Sequence, residues 1–174
     1  STTRNRYFVT TDFWNSSGWI IRESSTGSFI NPADLDYVND YLFTAKGSGT
    51  IYRFDLNQGS SSKTEISFSN KSNGVPSTIY CYKRNSNNKN RLLIGTTGGD
   101  VLLCDPSLIG TYSFSKISSG INTGHISSIY SHNKSDDTLF VTLSNYGVNN
   151  IYMTTNGGMT WKVLDGNLPD IPVW

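Results

Sequence analysis

Three stretches of this chain repeat one another at a spacing that leaves little choice of architecture. Asn39-Asp40-Tyr41-Leu42-Phe43-Thr44-Ala45, Lys89-Asn90-Arg91-Leu92-Leu93-Ile94-Gly95 and Asp136-Asp137-Thr138-Leu139-Phe140-Val141-Thr142 superimpose; position 41 lies 50 residues before 91, and 91 lies 47 before 138. Each is followed by a glycine-containing turn, at Gly47-Ser48-Gly49, Gly98-Gly99 and Tyr146-Gly147, and then by a second apolar run, Ile51 to Phe54, Val101 to Cys104 and Ile151 to Met153. Leading strands are predicted over Ala33 to Tyr37, Ser77 to Tyr82 and Ile126 to Tyr130, and trailing ones over Thr64 to Phe68, Tyr112 to Ile117 and Thr160 to Leu164. That makes four strands per unit. The second and third strands carry consecutive rather than alternating apolar residues, as strands do when both of their faces are covered. No segment shows a capped helical periodicity.

A period near 50 residues built only of strands points to propeller blades and away from helical solenoids. Stacked blades also supply the covering that two-sided apolar strands require. The predicted fold is therefore all-β: a β-propeller of four-stranded antiparallel blades. The N-terminal run Tyr7-Phe8-Val9-Thr10-Thr11-Asp12 matches Ile151 to Asn156, and Trp19-Ile20-Ile21 matches Trp161-Lys162-Val163, so the chain opens on the end of a blade. The units are 6–25, the end of a blade; 29–70, 76–118 and 124–166, full blades; and 169–174, the start of the next. About three and a half blades form a partial ring, whereas closed propellers have roughly four to eight. Open end blades would turn apolar faces to water. The expected partner is the remainder of a longer chain, which we favour, or another chain that completes the ring.

Thr154-Thr155-Asn156-Gly157-Gly158-Met159-Thr160-Trp161, read as Thr-x-Asn-x-Gly-x-Thr-Trp, resembles the Asp-box, or BNR, repeat of sialidases, xyloglucanases, sortilin-type receptors and secreted bacterial propellers. Asn156 stands where that family usually has Asp, and Gly166-Asn167-Leu168-Pro169 follows, as it often does there. The residues have local work to do. Asn156 is suited to accept backbone amides of its own turn, Gly157 and Gly158 to adopt positive φ, Thr160 to tie the turn to the next strand, and Trp161 to cover the hairpin. The resemblance implies that Thr154, Asn156, Gly158, Thr160 and Trp161 stabilise a blade at the outer rim, away from the ligand face. Asp12 and Trp19 belong to a degraded copy with Gly18 in place of the second threonine; Asp55 with Gly59, and Asp105 with Gly110, are fainter still.

Only 16% of the 174 residues are charged and the net charge is +1. The Lys and Arg side chains are scattered, which argues against a nucleic-acid partner held through its phosphates. No apolar run approaches the roughly 20 residues of a membrane-spanning helix. The Asn/Ser/Thr/Tyr-rich surface leans towards an extracellular, cell-surface or periplasmic location. Cys81 and Cys104 fall on the first and third strands of one sheet, about 9.6 Å apart across two strand spacings. That exceeds disulfide reach, so two free, buried thiols are expected.

The resemblance places the ligand face on loops joining second to third strands and each blade to the next. Here those loops offer Asp34, Lys46, Asp100, His125, Tyr146, Asp170 and Trp174. His125 reads either as a ligand or as a polar cap on a strand end, and with His132 on the opposite rim it makes no metal pair. Asp34, Asp100 and Asp170 read either as acid and base for glycoside cleavage, which needs two carboxylates roughly 5–10 Å apart, or as turn aspartates. Glu23 and Glu65 fall on outermost strands. Arg22, Arg53, Arg84 and Arg91 do not assemble the arginine triad of a sialidase. No nucleophile triad or phosphate cradle is present. No catalytic residue, cofactor or metal is assigned. The expected function is a secreted or cell-surface module binding protein or carbohydrate; the alternative is part of a xyloglucanase-like or sialidase-like glycoside hydrolase.

Overall fold

Glycine turns and β-branched or aromatic runs make each repeat fold back on itself, so that order along the chain is also order in space. The computed structural model describes residues 6–9, 19–22, 31–58, 62–83, 90–104 and 111–174. The chain opens with a two-stranded hairpin, β1 (Arg6–Val9) and β2 (Trp19–Arg22). Sheet one follows as β3 (Ala33–Asp36), β4 (Tyr41–Gly47), β5 (Thr50–Asp55) and β6 (Lys63–Ser67). Sheet two is β7 (Pro76–Lys83), β8 (Asn90–Thr96), β9 (Val101–Cys104) and β10 (Phe114–Lys116). Sheet three is β11 (Ile126–Ser131), β12 (Leu139–Leu143), β13 (Ile151–Thr154) and β14 (Lys162–Val163). All pairings are antiparallel. The one helical element among the described residues is a 3-10 turn at Leu56–Gln58, whose Asn57 amide donates to Asp55 Oδ1 at 3.0 Å.

The sheets stack, and the consecutive apolar residues divide between two interfaces. Phe43, Ile51, Ile66 and Phe68 of sheet one and the segment after it pack on Ile79, Leu92, Ile94 and Leu102 of sheet two. Leu93 and Val101, immediate neighbours of Ile94 and Leu102, point the other way and pack on Ile126, Val141 and Leu143 of sheet three. This is the period-two geometry of a strand with both faces used. On the far side of sheet one, Tyr52 and Phe54 pack with Tyr7 of the N-terminal hairpin. Burial of these side chains contributes roughly 1.5–3 kcal/mol each.

Adjacent sheets meet most closely along their first strands. Asp34 Oδ2 on β3 accepts the Cys81 amide of β7 at 2.6 Å, and Ser77 Oγ on β7 donates to the Ile126 carbonyl of β11 at 2.6 Å. Ser77 and Ser127 are the extra residues of matching β-bulges, between Pro76 and Thr78 and between Ile126 and Ser128. A bulge sharpens the local bend and re-aims the side chain it carries.

Several boundaries differ from the sequence-based expectation. β14 begins at Lys162 because the Thr160 amide is spent inside its own turn, on Asn156 Oδ1 at 3.0 Å. β10 begins at Phe114 because Tyr112 turns its ring to Phe43 of sheet one and accepts a hydrogen bond from Arg53 Nη1 at 3.0 Å. Asn39 and Asp40 form a turn ahead of β4, Asp40 at a φ of 54° that aspartate tolerates better than most residues. Cys81 and Cys104 stand opposite Leu92 from its two sides and are not joined in a disulfide; Cys104 is buried and Cys81 half-buried. Asp12, Gly18, Glu23, Gly59, Arg84, Asp105 and Gly110 lie outside the described residues.

Candidate functional site

At one end of each sheet, the turn between the second and third strands is bonded to a connector leading into or out of that sheet. The Gly49 amide donates to the Gly74 carbonyl at 3.0 Å, the Thr97 amide to Val75 at 2.9 Å and the Gly147 amide to Asp170 at 3.1 Å. Gly99 has a φ of +89°, and a Cβ there would lie 2.8 Å from the Gly124 amide, so only glycine lets the turn approach the connector.

The predicted site residues divide on this framework. Asp34 lies inside β3, where its carboxylate bridges to Cys81 and also accepts its neighbour's Leu35 amide at 2.9 Å. Lys46 turns away from the loop end: its ammonium pairs with Glu65 Oε2 at 2.5 Å and stands 5.4 Å from the Tyr52 ring centroid. The Glu65 contact is the main reason its pKa is raised. Asp100 is paired with Lys116 at 2.5 Å through Oδ1 and accepts the Ser72 hydroxyl at 2.5 Å through Oδ2. These three charges each serve a structural bond on a different strand.

His125, Tyr146, Asp170 and Trp174 belong together at the loop end of sheet three. The His125 amide donates to Asn145 Oδ1 at 2.7 Å, and its imidazole meets the Trp174 ring edge-on, centroids 6.3 Å apart. His132 is at the far end of β11, where its Nδ1 accepts the Lys134 amide at 3.2 Å. Tyr146 and Trp174 are 78% and 85% exposed, so two aromatic side chains stand open at this end, Trp174 of them against the half-buried imidazole.

Sequence reasoning missed what holds this end in shape. Asn150 is buried, and its Nδ2 donates to the carbonyls of Asn145, Val148 and Ile171 at 2.9, 3.0 and 3.0 Å. Asp165 takes the Asn150 and Ile151 amides, each at 2.6 Å, on its two carboxylate oxygens. An asparagine before a strand and an aspartate after the next one are common turn residues, and nothing local in the sequence joins them.

The Thr154–Trp161 turn is closed by its own side chains. Thr154 Oγ1 donates to Asn156 Oδ1 at 2.8 Å and accepts the Gly158 amide at 3.0 Å; Asn156 Nδ2 donates to Thr160 Oγ1 at 2.8 Å. Gly157 and Gly158 have φ of 69° and 90°. Trp161 is half-buried and reaches outside its sheet, donating Nε1–H to the Ile117 carbonyl at 2.6 Å. A Cβ on Gly158 would lie 2.8 Å from the Ile117 side chain. The turn thus ties sheet three to the segment that follows the last strand of sheet two. Trp19 lies on β2.

No protein-family model matches this chain, and a search of curated proteins finds no match.

Proposed function

We propose that the chain is a run of Asp-box propeller blades that acts as a binding and scaffolding module outside the cytoplasm, taking carbohydrate or protein at the loop end of sheet three. The propeller part is supported by three like sheets whose first strands lie side by side, and by the Thr154–Trp161 turn with its closed hydrogen-bond set. Low charge and an Asn/Ser/Thr-rich surface support the location.

The observation that carries the binding reading is the contrast at the loop end. Asp34, Lys46 and Asp100 are engaged in structural bonds, while Tyr146 stays open at this end and Trp174 stays open beside His125. Exposed aromatic rings next to polar groups suit a sugar ring or an apolar side chain. Of the carboxylates at this end, Asp165 is committed through both oxygens to the Asn150 and Ile151 amides, which removes it as a partner in the carboxylate pair that glycoside cleavage needs.

The reading is tested by titrating the protein with neutral and sialylated oligosaccharides while following tryptophan fluorescence. A saturable change that weakens about tenfold, or ~1.4 kcal/mol, in Tyr146→Ala is the expected result. Saturation unchanged in that variant would place the ligand elsewhere. No change with any sugar would refute the carbohydrate form.

A further inference from the structure

The chain contains two Asn-Gly steps, Asn73-Gly74 and Asn156-Gly157, and the fold treats them in opposite ways. Asparagine followed by glycine is open to intramolecular attack, because no Cβ on the second residue crowds the approach of its amide nitrogen to the asparagine Cγ. At Asn156 both ends of the side-chain amide are occupied: Oδ1 accepts Thr154 Oγ1 at 2.8 Å and the Thr160 amide at 3.0 Å, and Nδ2 donates to Thr160 Oγ1 at 2.8 Å. The Gly157 amide donates to the Asp137 carbonyl at 2.9 Å, an oxygen that cannot carry its proton away. Attack at this step has to give up all four bonds.

Asn73 carries none of these restraints. It lies exposed on the connector between β6 and β7, and its side chain makes no hydrogen bond with the described residues. The Gly74 amide, the nucleophile at this step, donates to Ser72 Oγ at 3.0 Å, and the Ser72 hydroxyl donates in turn to Asp100 Oδ2 at 2.5 Å. Ser72 is buried, and the other oxygen of Asp100 is paired with Lys116. The amide proton therefore points at a hydroxyl already connected to a carboxylate, a base within hydrogen-bond reach that the Asp137 carbonyl does not provide at Gly157.

We infer that Asn73-Gly74 is a self-modifying site that deamidates in the folded protein, with Ser72 and Asp100 taking up the Gly74 amide proton. The Gly74 nitrogen bonds to Asn73 Cγ while its proton passes through Ser72 Oγ to Asp100. The Cγ–Nδ2 bond then breaks, and Nδ2 leaves as ammonia with a proton returned from Asp100 through water. A further water molecule opens the cyclic imide at either of its carbonyls, leaving aspartate or isoaspartate at position 73. The isoaspartate form lengthens the main chain by one carbon directly ahead of Gly74 and Val75, whose carbonyls hold the Gly49 and Thr97 amides. Modification thus acts on the bonds that tie the turns of sheets one and two to their connector. It does not depend on the ligand of the proposed function.

The test is to age the 174-residue chain, folded and in urea, at neutral and mildly alkaline pH, and to follow amide-to-acid conversion at each asparagine by peptide mapping and mass spectrometry, with enzymatic methylation to mark isoaspartate. Dividing each folded rate by its rate in urea removes the effect of neighbouring sequence. A ratio for Asn73 at least about tenfold above that for Asn156 supports the inference, since Asn156 reacts only through opening of its turn. Equal ratios overturn it. Ser72→Ala, shown to be folded by its urea midpoint, should slow conversion at Asn73 by about tenfold or more in the folded chain and leave the rate in urea unchanged. Its remaining rate should rise more steeply with pH than that of the parent chain, because hydroxide is then the base. A Ser72→Ala chain that converts as fast as its parent, with the same pH dependence, overturns the part assigned to Ser72 and Asp100. The sugar titration reads the loop end of sheet three and ageing reads the connector before sheet two, so either can fail alone.

Discussion

Replacing Gly95 with alanine probes how closely sheets two and three approach. Gly95 lies within β8, directly paired with Thr78 and facing sheet three. Its φ is not in the left-handed region, so alanine carries no backbone penalty and, by restricting the unfolded chain, would stabilise by about 0.4–1 kcal/mol in open space. The space is not open. A Cβ would collide with Ile126 Cγ2 and lie 2.6 Å from Thr78 Cγ2 and 2.8 Å from Ile126 Cβ. Both neighbours are β-branched side chains on strands, stiff about χ1 and unable to swing aside. Overpacking of this kind costs about 1–3 kcal/mol. The net expectation is destabilisation by about 1–2 kcal/mol, which for a chain of this size lowers the melting temperature by about 3–6 °C. Ala45 holds the same place in sheet one and is accommodated there at 2% exposure, so the effect belongs to the sheet two–sheet three contact and not to the position as such. Urea unfolding of Gly95→Ala, Ile126→Ala and the double variant provides the assay. Removal of the Ile126 branch should relieve the clash, leaving a favourable coupling of about 1 kcal/mol or more. A neutral or stabilising Gly95→Ala, or strict additivity, would refute the close approach.

Two further outcomes are expected. Asn156→Asp should keep stability within about 0.5 kcal/mol, because the Thr160 hydroxyl can turn from acceptor to donor and the carboxylate still takes the Thr160 amide, whereas Asn156→Ala should lose about 1–2 kcal/mol; thermal melts of the pair check this, and equal losses would contradict the hydrogen-bond account. Burial raises the Cys81 thiol and the Tyr80, Tyr112 and Tyr152 phenols above their ordinary ranges. The unfolded chain then releases these protons first, so stability holds below about pH 8.5 and falls as pH rises through the thiol and phenol ranges. Urea midpoints between pH 7 and 10.5 should decline, with Cys81→Ala flattening the early part; a rise with pH would reverse the sign of the argument.

The unit organisation was legible because it depends on local signals repeated three times. Turn glycines and the two-sided apolar runs of β8 and β9 each needed only a window of the chain. Strand ends were less legible where a side chain competes for the backbone, as Asn156 does for the Thr160 amide, or where a ring leaves for another sheet, as Tyr112 does. Site residues were legible only in part. Lys46 reads as a loop charge until β6 folds back and places Glu65 against it. Asp34 reads as a turn aspartate until β7 presents the Cys81 amide.

By itself the sequence determined four strands per repeat and which residues have an apolar or turn-forming role, since both follow from the two-residue alternation of a strand and the backbone needs of a turn. Tertiary structure alone decided the destinations of the side chains. Trp161 bonds the Ile117 carbonyl 44 residues away, Asn150 and Asp165 brace one end of sheet three, and Ile151 stays half-buried where its counterparts Ile51 and Val101 are sealed. Local pattern says that a group wants a partner; which partner it meets depends on how separate sheets are brought together.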